Sequence, residues 1–419
     1  MADESSVTVR MYNVGFGDSF LVTVTRHGST WRMLIDCGVH SQGQARPIKE
    51  SVRAIVADLK AASADGTARL DVIAATHHHA DHIVGFSLPE WEDVIVAEVW
   101  LPFVEDKDDP DAAALRHTET AQRLLQLIDT RTHNLDPGQW SPEVATARAF
   151  ALNSFGNADA ADRLTGRDPS LHFANTPRVR YLPSTTESDN TINVGIDGVV
   201  VHALGPSRDP EQLKRMNPPA GAGWLRLNLD EPADEDSAAH IPLFNAVYVV
   251  DDPTRLPDEL IKAQQAMYLH RLNNDAGLLS AASVLERAVN NTSLFLVLDV
   301  AGTRLVFPGD AQYGAWEHIL NNPASTLLIA DAVFYKIGHH GSHNATPKRF
   351  IEETWTDGAY AMLPWGLVER WQETIPKKEL LDALHTHHHT VIRADAPQAA
   401  PPNITVHEDL WSEIVFPTA

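Results

Sequence analysis

The segment Thr76–Phe86, THHHADHIVGF, carries five side chains able to bind a metal ion within six consecutive positions. His77 and His79 are two residues apart, so in an extended or turning backbone they point to the same side. Asp81 and His82 follow in a tighter turn and could face a second centre. Neutral imidazoles together with a carboxylate suit zinc, iron or manganese. The segment therefore predicts a metal site, and the alternative is a histidine run in a solvated polar loop.

The neighbouring elements favour a site. Asp71–Ala75 is predicted to be a short apolar strand that ends just before the histidines. Sites in α/β folds gather beyond the carboxyl ends of strands. A helix that begins near His82 would fix the spacing of the cluster. His78 points away from its neighbours and is predicted to be a bystander.

Two later segments end in the same kinds of residue. The predicted strand Arg304–Pro308 is followed by Asp310, and the predicted strand Asp331–Ile337 is followed by His339 and His340. A single aspartate after a turn is usually a cap or turn residue, and a single histidine pair is usually exposed. Three strand ends that all carry ligand residues are harder to attribute to chance, so we expect them to converge.

Strands and helices alternate in both halves of the chain, which predicts an α/β fold built of layers. The chain opens with a three-stranded meander. The predicted strands also include Val7–Tyr12, Phe20–Arg26, Trp31–Asp36, Val94–Trp100, Gly198–Leu204 and Ser293–Val300, with a last one near Ile404 and Val406. Helical spacing of apolar residues occurs at Ile48–Leu59, Ala112–Ile128, Leu260–Leu272 and Leu278–Val289, and Pro218–Asp236 is predicted to be an irregular loop.

Composition narrows the class of protein. The chain has 419 residues and one cysteine, Cys37, so it forms no internal disulfide, which suits a reducing compartment. Cys37 is predicted to be a small core residue. No apolar run approaches the ~20 residues of a membrane helix, and no signal peptide is evident, so we expect a cytoplasmic protein without a membrane partner. A net charge of -23 argues against broad binding to nucleic acid or anionic lipid.

Six segments of the chain form an ordered set: Asn13–Ser19, Leu34–Gly38, His77–His82, Asn290–Leu294, Phe307–Asp310 and Lys336–Ser342. They follow one another in the order found in the metallo-β-lactamase superfamily. The chain resembles this superfamily and, within it, the hydrolase domain of the ComEC-type DNA-uptake proteins. The His77–His82 motif is typical of the superfamily, and Val14–Asp18 and His339–Ser342 are typical of the ComEC-like branch.

The resemblance implies a fold and a cofactor. The fold would be a four-layer αββα metallo-β-lactamase sandwich that spans residues 1–419 as a single domain, with insertions around 101–190 and 207–289. The cofactor would be a pair of divalent ions, zinc in most relatives, with manganese as the alternative.

The resemblance also assigns roles. His77 and His79 would hold the first ion, Asp81 and His82 the second, and Asp310 would bridge the two. One of His339 and His340, of which we favour His340, would complete the second site. Asp36 would orient the loop of His77 by hydrogen bonds.

This chain departs from the superfamily in two places. Most members supply a third histidine ligand about midway along the chain, where this chain has Asn290–Ser293, so Asn291 or water would take that place. Related proteins often carry His-Pro where Ile375 and Pro376 stand here. The tract His385–His389 could substitute, although a solvated histidine tract is the favoured interpretation.

These roles predict a metal-dependent hydrolase, in which a metal pair activates water and Asp81 orients or deprotonates it. Lys336 and Ser342 could contact a phosphate oxygen, or Lys336 could be a surface strand residue. The leading hypothesis is a nuclease or nucleotide phosphodiesterase. The alternative is hydrolysis of a small-molecule ester, lactone or amide, and a third hypothesis is a non-catalytic metal-binding module of an assembly. No residue supports a particular protein partner.

Overall fold

The computed structural model describes residues 5–115, 128, 140–219, 222–224, 275–397, 401–407 and 409–418. The chain divides into two compact units. The first contains Met1–His117, Leu152–Leu225 and Arg287–Ala419, and the second contains Thr118–Ala151 and Arg226–Glu286. In the second unit, residues 142–151 and 275–286 are helical.

The strands, in chain order, are β1 Ser6–Tyr12, β2 Phe20–Arg26, β3 Ser29–Ile35, β4 Arg69–Ala74, β5 Ile95–Pro102, β6 Arg178–Leu182, β7 Thr191–Asn193, β8 Val199–Gly205, β9 Phe295–Val300, β10 Thr303–Phe307, β11 Phe334–Lys336, β12 Tyr360–Leu363, β13 Thr390–Arg393, β14 Ile404–His407 and β15 Trp411–Pro417. The α-helices are α1 Ile48–Ala61, α2 Ala80–Ile83, α3 Pro110–Leu115, α4 Pro142–Phe155, α5 Ala158–Thr165, α6 Pro210–Leu213, α7 Asp275–Asn290, α8 Tyr313–Leu320, α9 Pro323–Ala330 and α10 Lys378–Thr386.

Both sheets are mixed. The first has the order β14-β15-β1-β2-β3-β4-β5-β6, and the second has the order β13-β12-β11-β10-β9-β8-β7. In the first sheet β3, β4 and β5 run parallel. In the second, β10 and β11 run parallel, as do β11, β12 and β13. Parallel neighbours end at the same edge of a sheet, so the residues that follow β3 and β4, or β10 and β11, are brought together.

The two sheets pack face to face, and alternate residues of their strands are buried between them. Val7, Val9 and Met11 of β1 are buried, and they share a hydrophobic core with residues of the second sheet such as Leu296 and Phe307. The opposite face of the first sheet packs against α1, α2 and α5, and that of the second packs against α8, α9 and α10. The burial of each large aliphatic side chain contributes about 1.5–3 kcal/mol to the free energy that favours the folded state. The architecture is an α/β sandwich.

Several sequence predictions are confirmed. The opening meander is formed by β1, β2 and β3, and β9 and β10 form the expected hairpin around Ala301 and Gly302. Both turn residues have positive φ, as a tight two-residue hairpin requires. Asp71–Ala75 and Leu278–Val289 largely coincide with β4 and α7.

Other predictions need correction. The predicted strand Asp331–Ile337 is a strand only at Phe334–Lys336, because Asp331 still caps the helix α9 and the residues after it lead from the helix into the strand. The tail holds two strands, β14 and β15, which pair antiparallel. Leu260–Leu272 and most of Ala112–Ile128 lie outside the described residues. Among the described residues, no helix has the length and apolarity needed to cross a membrane.

Candidate metal centre

Four strand ends position the centre. Asp36 directly follows β3, Thr76 and His77 follow β4, Asp310 follows β10, and His339 and His340 follow β11. The turn that carries Asp81 and His82 is the short helix α2. This helix lies against the loop after β3, because the N–H of Cys37 donates to the carbonyl of His82 at 2.7 Å. It also lies against the segment before β2, where the N–H of Asp18 donates to the carbonyl of Asp81 at 2.9 Å.

Gly38 makes this close approach possible. A Cβ atom at this position would lie 2.3 Å from the carbonyl oxygen of Ala80 and 2.4 Å from the backbone nitrogen of His82. Any larger residue would push α2 away from β3. The steric contact with α2 therefore explains why the segment Leu34–Gly38 ends in a glycine.

Four buried side chains converge beyond these strand ends. Their ligand atoms all lie within 4.8 Å of one another, and all four side chains are buried. We refer to these four residues as the ligand cluster: Asp81, His82, Asp310 and His340. Two carboxylates and two imidazoles are a donor set suited to zinc or another divalent ion.

Each histidine of the ligand cluster turns its second nitrogen toward an acceptor oxygen. His82 Nδ1 lies 2.7 Å from Asp36 Oδ2, and His340 Nδ1 lies 2.7 Å from the carbonyl oxygen of Pro364. Because both partners are acceptors, each Nδ1 carries a proton, and Nε2 is the nitrogen that each histidine turns toward the cluster. His82 Nε2 faces Asp310 Oδ2 at 3.2 Å, and His340 Nε2 faces Asp81 Oδ2 at 3.3 Å.

In each pair a ring nitrogen faces a carboxylate oxygen, and a cation between the two atoms would stabilise this arrangement. Within the described residues, His82 Nε2, Asp81 Oδ1 and Asp310 Oδ2 are buried and have no hydrogen-bond partner. Buried polar atoms are nearly always paired, so these three atoms fit a group that the chain does not itself supply. The ligand cluster could hold a metal ion.

Asp36 supports the cluster from behind. Its Oδ1 accepts from the N–H of Thr76 at 2.7 Å, and its Oδ2 accepts from the Thr76 hydroxyl at 2.7 Å and from His82 Nδ1 at 2.7 Å. The predicted hydrogen bonds between Asp36 and the loop of His77 are therefore present, with Asp36 as the acceptor. An outer carboxylate of this kind fixes the tautomer and orientation of a ligating histidine.

His77 and His79 form a separate pair. His77 Nε2 lies 3.0 Å from His79 Nδ1. Their outer nitrogens contact serine hydroxyls, with Ser293 3.1 Å from His77 Nδ1 and Ser154 3.1 Å from His79 Nε2. Within the described residues, no third acidic or imidazole ligand atom joins this pair within 4.8 Å. The two histidines face each other through one ring nitrogen each, and the Ser293 hydroxyl contacts the other nitrogen of His77. Their role as ligands of a first ion stays a prediction.

Lys336 and Asp18 complete the charge balance. The Lys336 amine is buried, forms an ion pair with Asp18, and lies 3.1 Å from Asp310 Oδ1 and 2.9 Å from the carbonyl oxygen of Gly309. The idea that Lys336 is a surface strand residue is therefore wrong. With its donors held by these acceptors, the amine is also poorly placed for the phosphate contact considered from the sequence.

The electrostatics of the centre follow from four buried carboxylates. Burial opposes a charged His82, but Asp310, Asp18 and Asp36 outweigh it and raise the pKa of His82 well above its usual range. Burial raises the pKa of Asp310, but His82 and Lys336 outweigh this and hold it well below its usual range. Burial raises the pKa of Asp18 even beside Lys336. Negative charge exceeds the positive charge that the chain supplies here.

The turn after β11 separates its two histidines. His339 and His340 both have positive φ, of 44° and 51°, which is uncommon for a non-glycine residue and is found at functional sites. This conformation sends His340 into the ligand cluster. His339 instead lies 3.3 Å from Asn290 Nδ2 and 2.9 Å from the Ser342 hydroxyl. The preference for His340 over His339 agrees with this geometry.

Some sequence expectations change. Asn291 does not face the cluster, because its Nδ2 donates to the carbonyl of Leu213 at 2.7 Å and its Oδ1 accepts from the N–H of Gln312 at 3.2 Å. In the tract His385–His389, His387 Nδ1 lies 2.8 Å from Asp357 Oδ1, and the ring of His389 stacks on Trp355 with centroids 3.8 Å apart. These two histidines therefore contact residues outside the metal centre.

Two expectations of inactivity agree with the structure. Cys37 is buried, and burial raises the pKa of its thiol to about 12, so it stays a thiol. His78 turns toward Glu105, 2.6 Å from its carboxylate, away from the ligand cluster.

The sequence analysis missed two buried residues of the centre, Asp18 and His40. Asp18 belongs to the segment Asn13–Ser19, so that segment could have identified it. Its role becomes visible only through Lys336, which comes from the far end of the chain.

Comparisons with known proteins leave the family open. No protein-family model matches the chain, and no curated protein matches it. Among solved structures, a mutant of CmlA beta-hydroxylase matches at 12% identity with a TM-score of 0.35. The match covers 100% of this chain and 54% of that one, so the chain spans about half that protein's length. Similarity at this level carries no argument about function.

Proposed function

We propose that this chain is a metal-dependent hydrolase with the αββα metallo-β-lactamase fold, acting on phosphodiesters. One observation carries the proposal: four buried ligand atoms converge on one point, and three buried polar atoms of the same residues have no partner among the described residues. A binding module could hold an ion with such residues, but the order of the motifs along the chain favours hydrolysis.

The residues divide the work. His82, His340, Asp81 and Asp310 would hold one ion, and His77 and His79 would contribute to a second. Bound divalent ions lower the pKa of water toward neutrality and stabilise negative charge that develops on a substrate. Asp81 has an unpaired Oδ1, which can accept a hydrogen bond from water held in the cluster and orient it. Burial raises the pKa of Asp81, but His340, His82 and His79 outweigh this and hold it well below its usual range, so the carboxylate stays ionised. Asp36 and Lys336 keep the ligands in place through their hydrogen bonds.

Phosphodiesters are the leading substrate class because the ComEC-like segments Val14–Asp18 and His339–Ser342 accompany the ligand residues. The alternative substrate is a small-molecule ester, lactone or amide, and one observation bears on it. The net charge of -23 repels long polyanions, which favours a small substrate of either class over extended nucleic acid.

The test is a paired assay. Turnover of bis(4-nitrophenyl) phosphate and of 4-nitrophenyl acetate is measured with added zinc or manganese, for the wild type, Asp81→Ala and Asp189→Ala. Asp189 is exposed and lies outside the centre, so its variant is the matched control. We expect diester turnover that falls by roughly a hundredfold or more in Asp81→Ala and is unchanged in Asp189→Ala.

The other outcomes are equally informative. Turnover of the acetate alone, lost in Asp81→Ala, would select the alternative substrate class. Stoichiometric metal by elemental analysis with no turnover of either probe would select the non-catalytic module. Equal turnover by the wild type and Asp81→Ala would show that the activity does not come from this centre.

A further inference from the structure

His40 is a buried histidine beside the metal centre that no metal role absorbs. It follows β3, and only 2% of its surface is exposed. Its backbone N–H donates to the carbonyl of Phe16 at 2.7 Å, and its carbonyl accepts from the N–H of Gly43 at 3.0 Å. The ring packs between Phe16 and Trp371, with ring centroids 6.0 and 5.2 Å away. Backbone and ring are thus both fixed.

The hydrogen bonds assign the tautomer of this ring. The N–H of Gln42 donates to His40 Nδ1 at 3.3 Å, so Nδ1 carries the lone pair and the ring proton lies on Nε2. Burial lowers the pKa of His40, with Asp81 opposing this shift, which keeps the ring neutral near pH 7. Within the described residues, the buried Nε2 has no hydrogen-bond partner. His40 therefore presents a buried N–H donor without an acceptor.

This donor lies on the His340 side of the ligand cluster. The loop that leads to His40 follows α2, because the N–H of Val39 donates to the carbonyl of Ala80 at 3.2 Å. The Phe16 ring that packs on His40 also packs on His340, at a centroid distance of 3.9 Å. The charged and titratable groups that act on His40 are Asp81 and His340, both members of the cluster.

A ligand role for His40 does not fit this arrangement. Among the described residues, ligand atoms converge within 4.8 Å in the ligand cluster and in a second group, Asp18, Asp36 and His82, and neither includes His40. A protonated Nε2 also cannot bind a metal ion. Lys336, a cation in the same centre, has its amine held by Asp18 and Asp310. The N–H of His40 is a buried donor beside the cluster that none of these contacts uses.

We propose that His40 Nε2–H donates a hydrogen bond to an anionic oxygen of the substrate held beside Asp81 and His340, the phosphoryl oxygen in the case of a diester. This inference rests on the proposed function and names a further catalytic residue of the same centre. The proton stays on His40, so the step is a hydrogen bond and no group is transferred. A donor fixed in a water-poor site stabilises developing negative charge without reorganising.

The experiment compares three variants of the metal-loaded protein. His40→Phe keeps a ring between Phe16 and Trp371 and removes the donor, and His40→Gln restores an N–H near the position of Nε2. His389→Phe is the matched control. His389 is also a buried histidine packed on a tryptophan, and it directly precedes β13, whose parallel alignment with β11 puts it at the opposite edge of the sheet.

We expect kcat/KM for bis(4-nitrophenyl) phosphate to fall roughly 10- to 100-fold in His40→Phe, the range for a lost hydrogen bond to a charged group. His40→Gln should recover at least part of this loss, and His389→Phe should match the wild type. Metal content and thermal midpoint should be the same in all of them, which separates a substrate contact from a structural role.

The inference is overturned if His40→Phe stays within threefold of the wild type, or if His40→Gln loses as much activity as His40→Phe. A wild type without turnover would remove the proposed function, and His40 is then judged by calorimetric binding of inorganic phosphate to the metal-loaded protein. Binding at least tenfold weaker in His40→Phe than in the wild type would support the phosphate contact, and equal binding would refute it.

Discussion

Asp36 shows how a residue that binds no metal can control the residues that do. It accepts three hydrogen bonds from the histidine loop, one of them from His82 Nδ1. That bond leaves His82 Nε2 free to coordinate. At the scale of single residues, the affinity of the centre for a metal ion therefore depends on this carboxylate as well as on the ligands.

We predict that Asp36→Asn weakens metal binding by roughly 10- to 100-fold. The amide has one acceptor oxygen, so its NH₂ group would face a donor, either Thr76 or His82. The measurement is a competition titration against a chromophoric chelator. Asp71→Asn is the control, because Asp71 accepts from the N–H of Arg32 at 2.7 Å within the first sheet. An unchanged affinity in a folded Asp36→Asn protein would contradict the prediction.

At the scale of elements, the junction between α10 and β13 buries a histidine that has no part in the centre. His389 stacks on Trp355, and within the described residues both of its ring nitrogens lack a hydrogen-bond partner. Burial lowers the pKa of His389 to about 4 from an ordinary value of 6.5, although Asp357 opposes the shift. The junction packs well only with a neutral ring.

We predict that this junction makes stability depend on pH. Between about pH 6.5 and about pH 4 the unfolded chain binds a proton at this position that the folded chain does not. The free energy of unfolding should therefore decrease as the pH falls through this window and be unaffected by this group above it. Urea unfolding at both ends of the window, for the wild type and His389→Phe, measures the difference.

His389→Phe keeps the stacking on Trp355 and removes the titration, so its stability should fall less between the two pH values. His407→Phe provides the control, since His407 is exposed and stacks on Trp411. Parallel losses in the wild type and His389→Phe would show that His389 does not contribute.

The elements also show what the sequence could predict. Strands β1 and β2 were predictable because apolar residues alternate in them and turns bound them, and the hairpin of β9 and β10 because Ala301-Gly302 marks its turn. β12 and β13 escaped prediction because they are short and, like β11, are paired with strands distant in sequence. The ligand residues carried a local motif. His40 carried none, since its importance comes from the hydrogen bond of Gln42 and the burial of its ring.

At the scale of the whole molecule, 56 acidic residues outnumber 33 basic ones. A protein that grips nucleic acid through its phosphates gains affinity as salt falls, because counterions are released. An acidic surface does the opposite, since added salt screens its repulsion of a polyanion. A small diester carries too little charge to respond strongly in either direction.

Salt dependence therefore reports which size of phosphodiester the centre accepts. We predict that raising the salt from about 50 to about 200 mM lowers KM for a single-stranded oligonucleotide of about twenty nucleotides, while KM for bis(4-nitrophenyl) phosphate changes little. At the lower salt, kcat/KM should be higher for a dinucleotide than for the oligonucleotide. The Asp189→Ala protein serves as the control for a single surface charge. If KM for the oligonucleotide instead rises steeply with salt, a basic groove must bind the strand, and the acidic surface does not select small substrates.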